Sequence, residues 1–241
     1  MRQLTLKFKT NEKTLSTDYT RGILSYIKHA ISEYSEELFE EWFKKGITVR
    51  KQYTFSCYFP GQRYLGDRMS ISENNFSINL SVYDVDSFVK LYNALLMQRK
   101  QTFNMLGTEI TLEDIRVQTL PRIECSTVLV KFDSPLIVRK HDKETNKEKY
   151  LGYEEEGFYE TLNDNIEASA KAYGISSEGF KFEPVQARKV VIRHFRMKVN
   201  ANIGIYRISG TPELLNYLFA AGIGSATNSG HGKFRIIRRG E

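Results

Sequence analysis

The order in which strand-like and helix-like spacings follow one another constrains the fold of this chain more than any other feature. Residues 4–8 alternate between apolar and polar types, the period of a half-buried strand, whereas apolar residues within 23–31 recur at the period of a helix. The order strand, helix, strand, strand, helix, strand occurs in each half of the chain, and it is the order of the ferredoxin-like unit. We therefore predict an α+β fold with two tandem ferredoxin-like (RRM-like) β-α-β-β-α-β domains, at residues 1–121 and 122–241.

The same spacings locate the individual elements. In the first half they predict a strand at 4–8, helices at 23–31 and 36–45, strands at 47–59 and 76–82, a helix at 85–97 and a strand at 108–118. In the second half they predict a strand at 128–132, a charged loop or hairpin tip at 139–149, a helix at 158–170, strand-like sequence at 180–209, a helix at 211–219 and a strand at 233–238. The Thr-Pro-Glu start of the last helix supplies a hydroxyl cap, a first-turn proline and a first-turn acid.

The composition excludes several classes of protein. With 41% hydrophobic and 27% charged residues, 5 Pro and 16 Gly, the chain is neither fibrous nor of low complexity. No window has the roughly 18 consecutive apolar residues of a membrane helix and the first residues lack a signal peptide's apolar stretch, so we expect a cytoplasmic protein without a membrane partner. Cys57 and Cys125 are too few and too far apart for a zinc site or a disulfide framework, and we expect no metal and no cofactor.

Positive charge is concentrated at the C-terminal end. From Gln186 onward the chain carries ten lysines and arginines against two acids, a net charge of +8, whereas the preceding residues carry 25 basic against 27 acidic side chains. A basic segment of this density on strand-like sequence indicates a polyanion such as a nucleic acid as the partner. The alternative is a solvated charged face without a ligand.

A glycine-rich stretch lies inside this basic segment. Gly222, Gly224, Gly230 and Gly232 are interleaved with hydroxyl and amide side chains, and glycines permit positive φ and a close approach of backbone N–H groups to a phosphate. A helix precedes the stretch and a strand follows it, whereas a Walker loop or a Rossmann fingerprint opens a helix. Both of those nucleotide-binding motifs are therefore excluded.

This stretch resembles the C-terminal motif of the Cas6 family, the CRISPR-associated endoribonucleases that cut repeat transcripts into guide RNAs. The family motif is Gly, an apolar residue and Gly, about five residues, and the same triplet again; here Gly222-Ile-Gly224 and Gly230-His-Gly232 are separated by five residues. Only His231 departs from the usual residue type. A second family feature, a Phe-Thr-Phe-Ser strand after a short helix and a glycine, is matched by Tyr-Thr-Phe-Ser at 53–56 after Gly46.

The resemblance implies binding and metal-independent cleavage of CRISPR repeat RNA, through attack of a ribose 2′-hydroxyl on the adjacent phosphate. It also implies tandem ferredoxin-like halves, with the catalytic helix in the first half and RNA-binding strands in the second. Other subunits of a CRISPR effector complex and a second copy of the chain, giving a homodimer, are further candidate partners. Two alternatives stay open: a non-catalytic subunit of the same family that holds the repeat tag of a guide RNA, and an unrelated nucleic-acid module with tandem sheets.

The resemblance places a catalytic histidine in or after the first helices, where this chain offers His29. Helical geometry turns His29 away from the apolar stripe of 23–31, so we expect it to face outward, with Tyr26 close enough to orient its ring. Histidine titrates in the range that proton transfer to and from ribose oxygens requires. Lys51 is predicted to bind the phosphate, which gives the catalytic set His29, Tyr26 and Lys51. The alternative for His29 is a surface histidine near an acid.

The predicted RNA contacts all lie in the basic segment. Strand alternation places Arg193 and Phe195 on one face of a continuous strand and His194 and Arg196 on the other. The full set of expected RNA-binding residues is Arg188, Lys189, Arg193, His194, Arg196, Lys198, Gly222, Gly224, Ser225, Asn228, Gly230, His231, Lys233 and Arg235.

Overall fold

The computed structural model of the chain describes residues 1–43, 52–142 and 146–239. Its first half has the elements β1 Arg2–Thr10, β2 Thr14–Ser16, α1 Tyr19–Tyr34, α2 Glu36–Phe43, β3 Tyr53–Tyr58, β4 Arg63–Leu65, β5 Arg68–Ser70, β6 Asn75–Val82, α3 Val85–Met97, β7 Thr102–Met105 and β8 Thr108–Thr119. Its second half has β9 Thr127–Phe132, β10 Arg139–Asp142, β11 Lys147–Tyr150, α4 Phe158–Lys171, β12 Lys181–His194, β13 Met197–Ser209, α5 Pro212–Ala221, a 3₁₀ turn at Thr227–Ser229 and β14 Phe234–Arg239.

Each half contains an antiparallel sheet with ferredoxin-like strand order. In the first half the order is β3-β6-β1-β8, extended at the edge by β7, and in the second it is β12-β13-β9-β14. The alternating apolar side chains of β1 are buried against α1, where Ile23, Ile27 and Ile31 form the inward stripe. The second core is built in the same way from β9, β13, α4 and α5. The fold is thus α+β with two tandem ferredoxin-like units, as the spacing predicted.

Most predicted elements are confirmed within a few residues of their bounds. The helix predicted at 85–97 is α3, and the start predicted at residue 211 is α5, whose cap Thr211 accepts a hydrogen bond from the backbone N–H of Leu214. The end of the helix predicted at 36–45 and the start of the strand predicted at 47–59 lie outside the described residues. The division at 121 and 122 falls between β8 and β9, and it stays a prediction that each half is a domain by itself.

The long strand predicted through residues 193–196 is wrong. Phe195 and Arg196 have φ of 46° and 69°, and they form the two-residue turn of a hairpin in which His194 pairs with Met197. Two positive φ values in succession match the twist of a tight hairpin, although glycine and asparagine are the usual residues there. Cross-strand partners share a face, so Arg193 lies beside Lys198 and His194 beside Met197.

This hairpin extends well beyond its sheet. Only the end of β13, from Ile205 to Ser209, pairs with β9, and beyond it Asn202 pairs with Leu136, so residues 186–204 form a hairpin about 30 Å long at roughly 3.3 Å per residue. A bulge between Pro184 and Gln186 marks the point where the ribbon leaves the sheet. Opposite this bulge Gly204 has φ of +124°, and a Cβ there would lie 2.0 Å from the carbonyl oxygen of Gln186. We call this segment the ribbon.

Two smaller hairpins lie near the ribbon. In the first half, β4 and β5 pair through a turn at Gly66 and form a small sheet with β2. In the second half, β10 pairs with β11 within the charged run 139–149, which confirms a hairpin there. Among the described residues, no helix has both the length and the apolar character needed to cross a membrane.

Candidate nucleic-acid interface

The four glycines of the glycine-rich loop, residues 222–232, are required by packing within the protein. All four have positive φ, a conformation that costs a residue with a Cβ about 1–2 kcal/mol. A Cβ at Gly230 would lie 2.3 Å from the ring of Phe55, and a Cβ at Gly232 would lie 1.8 Å from the carbonyl oxygen of Ile223. These distances leave no room for a side chain, so the loop is held closely against the rest of the protein.

The loop joins the two halves of the chain through β3 and β6 of the first sheet. Thr54 Oγ1 donates a hydrogen bond to the carbonyl oxygen of His231 at 3.0 Å, and Lys233 Nζ donates one to Ser81 Oγ at 2.9 Å. Ser81 Oγ in turn donates to the carbonyl oxygen of Ala220 at 2.9 Å. We call this set of contacts the joint. The Tyr-Thr-Phe-Ser strand and the glycine motif, far apart in sequence, therefore contact each other directly.

Two residues of the joint that were predicted to contact RNA are buried. His231 is 1% exposed and Lys233 is 3% exposed, so both side chains are almost fully covered by the protein, although His231 borders the hairpin cavity described below. Burial lowers the pKa of Lys233 to about 8, with the carboxylate of Asp133 acting in the opposite direction. Gly230 is buried as well, because its Cα faces the Phe55 ring. For all three residues the geometry indicates a structural role.

His194 and His231 form a buried pair between the ribbon and the joint. Their Nδ1 and Nε2 atoms are 3.0 Å apart, so one ring donates a hydrogen bond to the other. Burial lowers the pKa of His231 to about 3, and His194 adds to this effect. Burial also lowers the pKa of His194, as does Arg139, while the carboxylate of Asp18 raises it. The hydrogen bond between two ring nitrogens requires that at least one ring is neutral, and the pair fixes the end of the ribbon to the joint.

The ribbon carries the predicted basic side chains in two groups. One group is paired with carboxylates: Lys189 Nζ lies 3.6 Å from Glu155 Oε1, and Arg193 forms an ion pair with Asp67 of the first half. The other group consists of exposed cations, namely Arg188, Arg196 and Lys198. Outside the ribbon, Arg235 on β14 is exposed and paired with Asp133. The structure thus brings six of the predicted basic residues to the surface, five of them on the ribbon.

Two cavities flank the ribbon. The loop cavity, about 540 Å³, lies beside the glycine-rich loop and is lined by the predicted residues Gly222, Gly224, Ser225 and Asn228 together with Arg139, His194 and Phe195. The hairpin cavity, about 370 Å³, lies between the ribbon and the β4–β5 hairpin and is lined by Tyr19, Tyr64, Asp67, Val191, Arg193 and Lys198. Both volumes are in the range of small-ligand pockets.

Ser225 has little hydrogen-bonding capacity left for a ligand in the loop cavity. Its Oγ accepts from the backbone N–H of Arg139 at 3.2 Å and donates to Asn165 Oδ1 at 2.9 Å, and its own N–H donates to the carbonyl oxygen of Ile137. Asn228 is half-buried at the cavity wall. Gly224 approaches Ile137 so closely that a Cβ would lie 2.5 Å from its carbonyl oxygen.

Two of the three predicted catalytic residues, His29 and Tyr26, lie on the described helix α1. His29 is half-buried on α1, and its ring stacks on Phe103 with centroids 5.3 Å apart and planes 30° apart. Tyr26 is 1% exposed and packs against Phe8 and Phe103 in the core, so its side chain is closed to solvent, and its role in orienting His29 stays a prediction. Burial also raises the pKa of the Tyr26 phenol. Lys51 lies outside the described residues.

The Tyr-Thr-Phe-Ser strand at 53–56 was singled out from the sequence, whereas the other first-half residues around the loop and the hairpin cavity were not. Thr54, Phe55 and Ser81 form the joint, and Tyr64 and Asp67 form one wall of the hairpin cavity. A usable signal existed for the last two, because Gly-Asp at residues 66 and 67 between short strand-like segments is typical of a hairpin turn. No local pattern indicates which residues of the other half they contact.

Comparison with known protein families gives a match to one family model. Residues 118–236 match the family model described as CRISPR associated protein Cas6, C-terminal. No curated protein sequence matches the chain significantly.

Solved structures of the same family superpose on the whole chain. The product of a Cas6-related gene from Pyrococcus furiosus superposes with a TM-score of 0.85 at 16% sequence identity, covering 99% of both chains. A RAMP protein described as binding different RNA substrates gives 0.85 at 16% identity, covering 99% of this chain and 100% of that one. A Cas6 solved as a product complex gives 0.71 at 12% identity, covering 98% and 99%. At these identities the likeness establishes the fold.

Proposed function

Since this chain belongs to the Cas6 family of CRISPR-associated RNA-processing proteins, we propose that it binds the repeat RNA of a CRISPR transcript and cuts it to release guide RNAs. The observation that carries the proposal is the ribbon, which projects from the second sheet with Arg188, Arg196 and Lys198 exposed. Nucleic-acid binding requires cations that neutralise phosphates, and a projecting basic hairpin supplies them without a deep pocket. Subunits of an effector complex and a second copy of the chain are further partners under this proposal.

The proposed reaction is an internal transfer at one phosphate. The ribose 2′-oxygen loses its proton to a base and attacks the adjacent phosphorus, and the bond from phosphorus to the 5′-oxygen breaks as that oxygen takes up a proton. The products are a 2′,3′-cyclic phosphate and a 5′-hydroxyl, and no metal takes part. His29 is the proposed group for one of these proton transfers, because the residue is only partly buried on α1, the helix to which the resemblance assigns catalysis. Lys51 is the proposed cation beside the phosphorane.

A second function has a specific observation in its favour. Tyr26, proposed to act with His29, is packed in the core between Phe8 and Phe103. A family member without an assembled proton-transfer site would hold the repeat tag of a guide RNA without cutting it. Binding through the ribbon is common to both functions, and only the reaction separates them.

The experiment is incubation of the protein with a labelled repeat transcript in EDTA. Site-specific cleavage that stops when the nucleotide 5′ of the cut carries deoxyribose supports the proposed endoribonuclease. Tight, repeat-specific binding without cleavage supports the second function, and absence of any preference for the repeat contradicts both.

His29→Ala tests the catalytic assignment, with His141→Ala as the matched control. His141 is an exposed histidine on the β10–β11 hairpin, with Nδ1 3.2 Å from Glu148 Oε1. We expect His29→Ala to lower the single-turnover rate by about 100-fold or more, the scale of a lost general acid or base, with RNA affinity little changed. Equal rates for the two variants would remove His29 from the mechanism.

A further inference from the structure

The hairpin cavity lies where two projecting hairpins from different halves of the chain face each other. One wall comes from the first half, where Tyr19 begins α1 and Tyr64 stands on β4. The other wall comes from the ribbon, through Val191, Arg193 and Lys198. At about 370 Å³ the cavity has room for a group the size of one nucleotide. This cavity was not among the sites predicted from the sequence.

One aromatic ring at this cavity is largely exposed to solvent. Tyr64 is 62% exposed, and Val191 across the cavity is exposed as well. Tyr19 is fixed beneath them by an edge contact with Phe59, with centroids 4.8 Å apart. Burial raises the pKa of the Tyr19 phenol, and Cys57 and Tyr64 add to this effect. Exposed rings beside cations are the usual platform for unstacked bases of single-stranded RNA.

The charges at the cavity are arranged as an anion site that a carboxylate of the protein occupies. Arg193 pairs with Asp67, which lies at the turn of the β4–β5 hairpin and whose side chain is 79% exposed. Lys198 is the cross-strand neighbour of Arg193 and is exposed beside it. A carboxylate and a phosphate offer an arginine the same pair of oxygens. A phosphate of bound RNA therefore has the chemistry to take the place of Asp67 on Arg193.

We propose that the hairpin cavity is a subsite for one unstacked nucleotide of single-stranded RNA. The base stacks on Tyr64, and the phosphate of the same nucleotide binds Arg193 and Lys198 in place of Asp67. This assignment rests on the proposed function, because it takes the repeat RNA as the ligand. It adds a site in which residues of the first half, rather than the ribbon alone, recognise that RNA.

The test places the fluorescent base 2-aminopurine at each position of the repeat RNA in turn. We expect one position to change its emission on binding to the wild-type protein and to lose that change with Tyr64→Ala. Tyr64→Ala should weaken RNA binding by about 5- to 100-fold, the scale of one lost base stack, and Tyr64→Phe should restore it because the ring suffices. Tyr58→Ala is the matched control, since Tyr58 is 63% exposed and lies on β3 away from this cavity.

A second variant should act in the opposite direction. Asp67→Asn removes the carboxylate that competes with the phosphate, and we expect it to strengthen binding by about 2- to 5-fold, the scale of one exposed ion pair. If the wild-type protein binds repeat RNA and the variants Tyr64→Ala and Tyr58→Ala bind it with equal affinity, the subsite is overturned and the proposed function is unaffected. So would an Asp67→Asn variant that binds more weakly than the wild type. Failure of the wild-type protein to bind repeat RNA would overturn the proposed function and the subsite together.

Discussion

Gly230→Ala should destabilise the protein because it introduces a methyl group into the joint. The residue has φ of +83°, and its new Cβ would lie 2.3 Å from the Phe55 ring, whose atoms are fully buried. The left-handed backbone costs about 1–2 kcal/mol and overpacking about 1–3 kcal/mol, so we expect the free energy of unfolding to fall by about 2–5 kcal/mol. With urea m-values of about 2–3 kcal/mol/M, the unfolding midpoint should fall by about 1–2 M.

Gly107→Ala is the matched control for this prediction. Gly107 has φ of +92°, and a Cβ there would meet no heavy atom within 4 Å, so this variant carries only the backbone cost. Phe55→Leu combined with Gly230→Ala completes a double-mutant cycle, and we expect a coupling energy of about 1–3 kcal/mol because the shortened side chain relieves the clash. If Gly230→Ala costs no more than Gly107→Ala, or if the cycle shows no coupling, the joint is not packed as described.

Two further predictions concern the pH dependence of stability. The folded pKa of Lys233, about 8, lies below its ordinary value of 10.5, so the unfolded chain binds more protons between these two pH values and the free energy of unfolding should rise with pH across that window. We expect Lys233→Met to flatten this rise in urea titrations, and an unchanged slope would contradict burial of the amine. The folded pKa of His231, about 3, likewise lies below its ordinary value of 6.5, so the free energy of unfolding should fall as pH drops from about 6.5 towards 3. We expect His231→Gln to lessen that fall relative to the exposed control His141→Gln, and an equal fall in stability in the two variants would argue against the buried pair.

The sequence was sufficient for the architecture because its periodic patterns are local. The stripe of α1 and the capped start of α5 require only the spacing of apolar residues and the Thr-Pro pair, and both are present as predicted. The burial of Tyr26 follows from the same rule. It lies three residues after Ile23 and four before Ala30, on the buried stripe.

The joint could not be predicted from local patterns, because it depends on contacts between distant residues. Lys233 reads as an exposed cation in a basic strand, and only its contact with Ser81 on the other sheet shows that it is buried. The turn at Phe195 and Arg196 was not predicted for a different reason. Neither residue is a usual hairpin-turn type, so the basic run reads as one continuous strand.

The most direct test of RNA binding by the ribbon is the salt dependence of repeat-RNA affinity. The variant replaces Arg188, Arg196 and Lys198 with alanine, and the control replaces Arg116, an exposed cation of β8 paired with Asp114, in the same way. Each lost phosphate contact should reduce the slope of log affinity against log salt by about 1, so we expect a loss of about 2–3 for the triple variant and none for the control. A triple variant with the affinity and slope of the wild type would contradict the assignment of the ribbon as the RNA-binding surface.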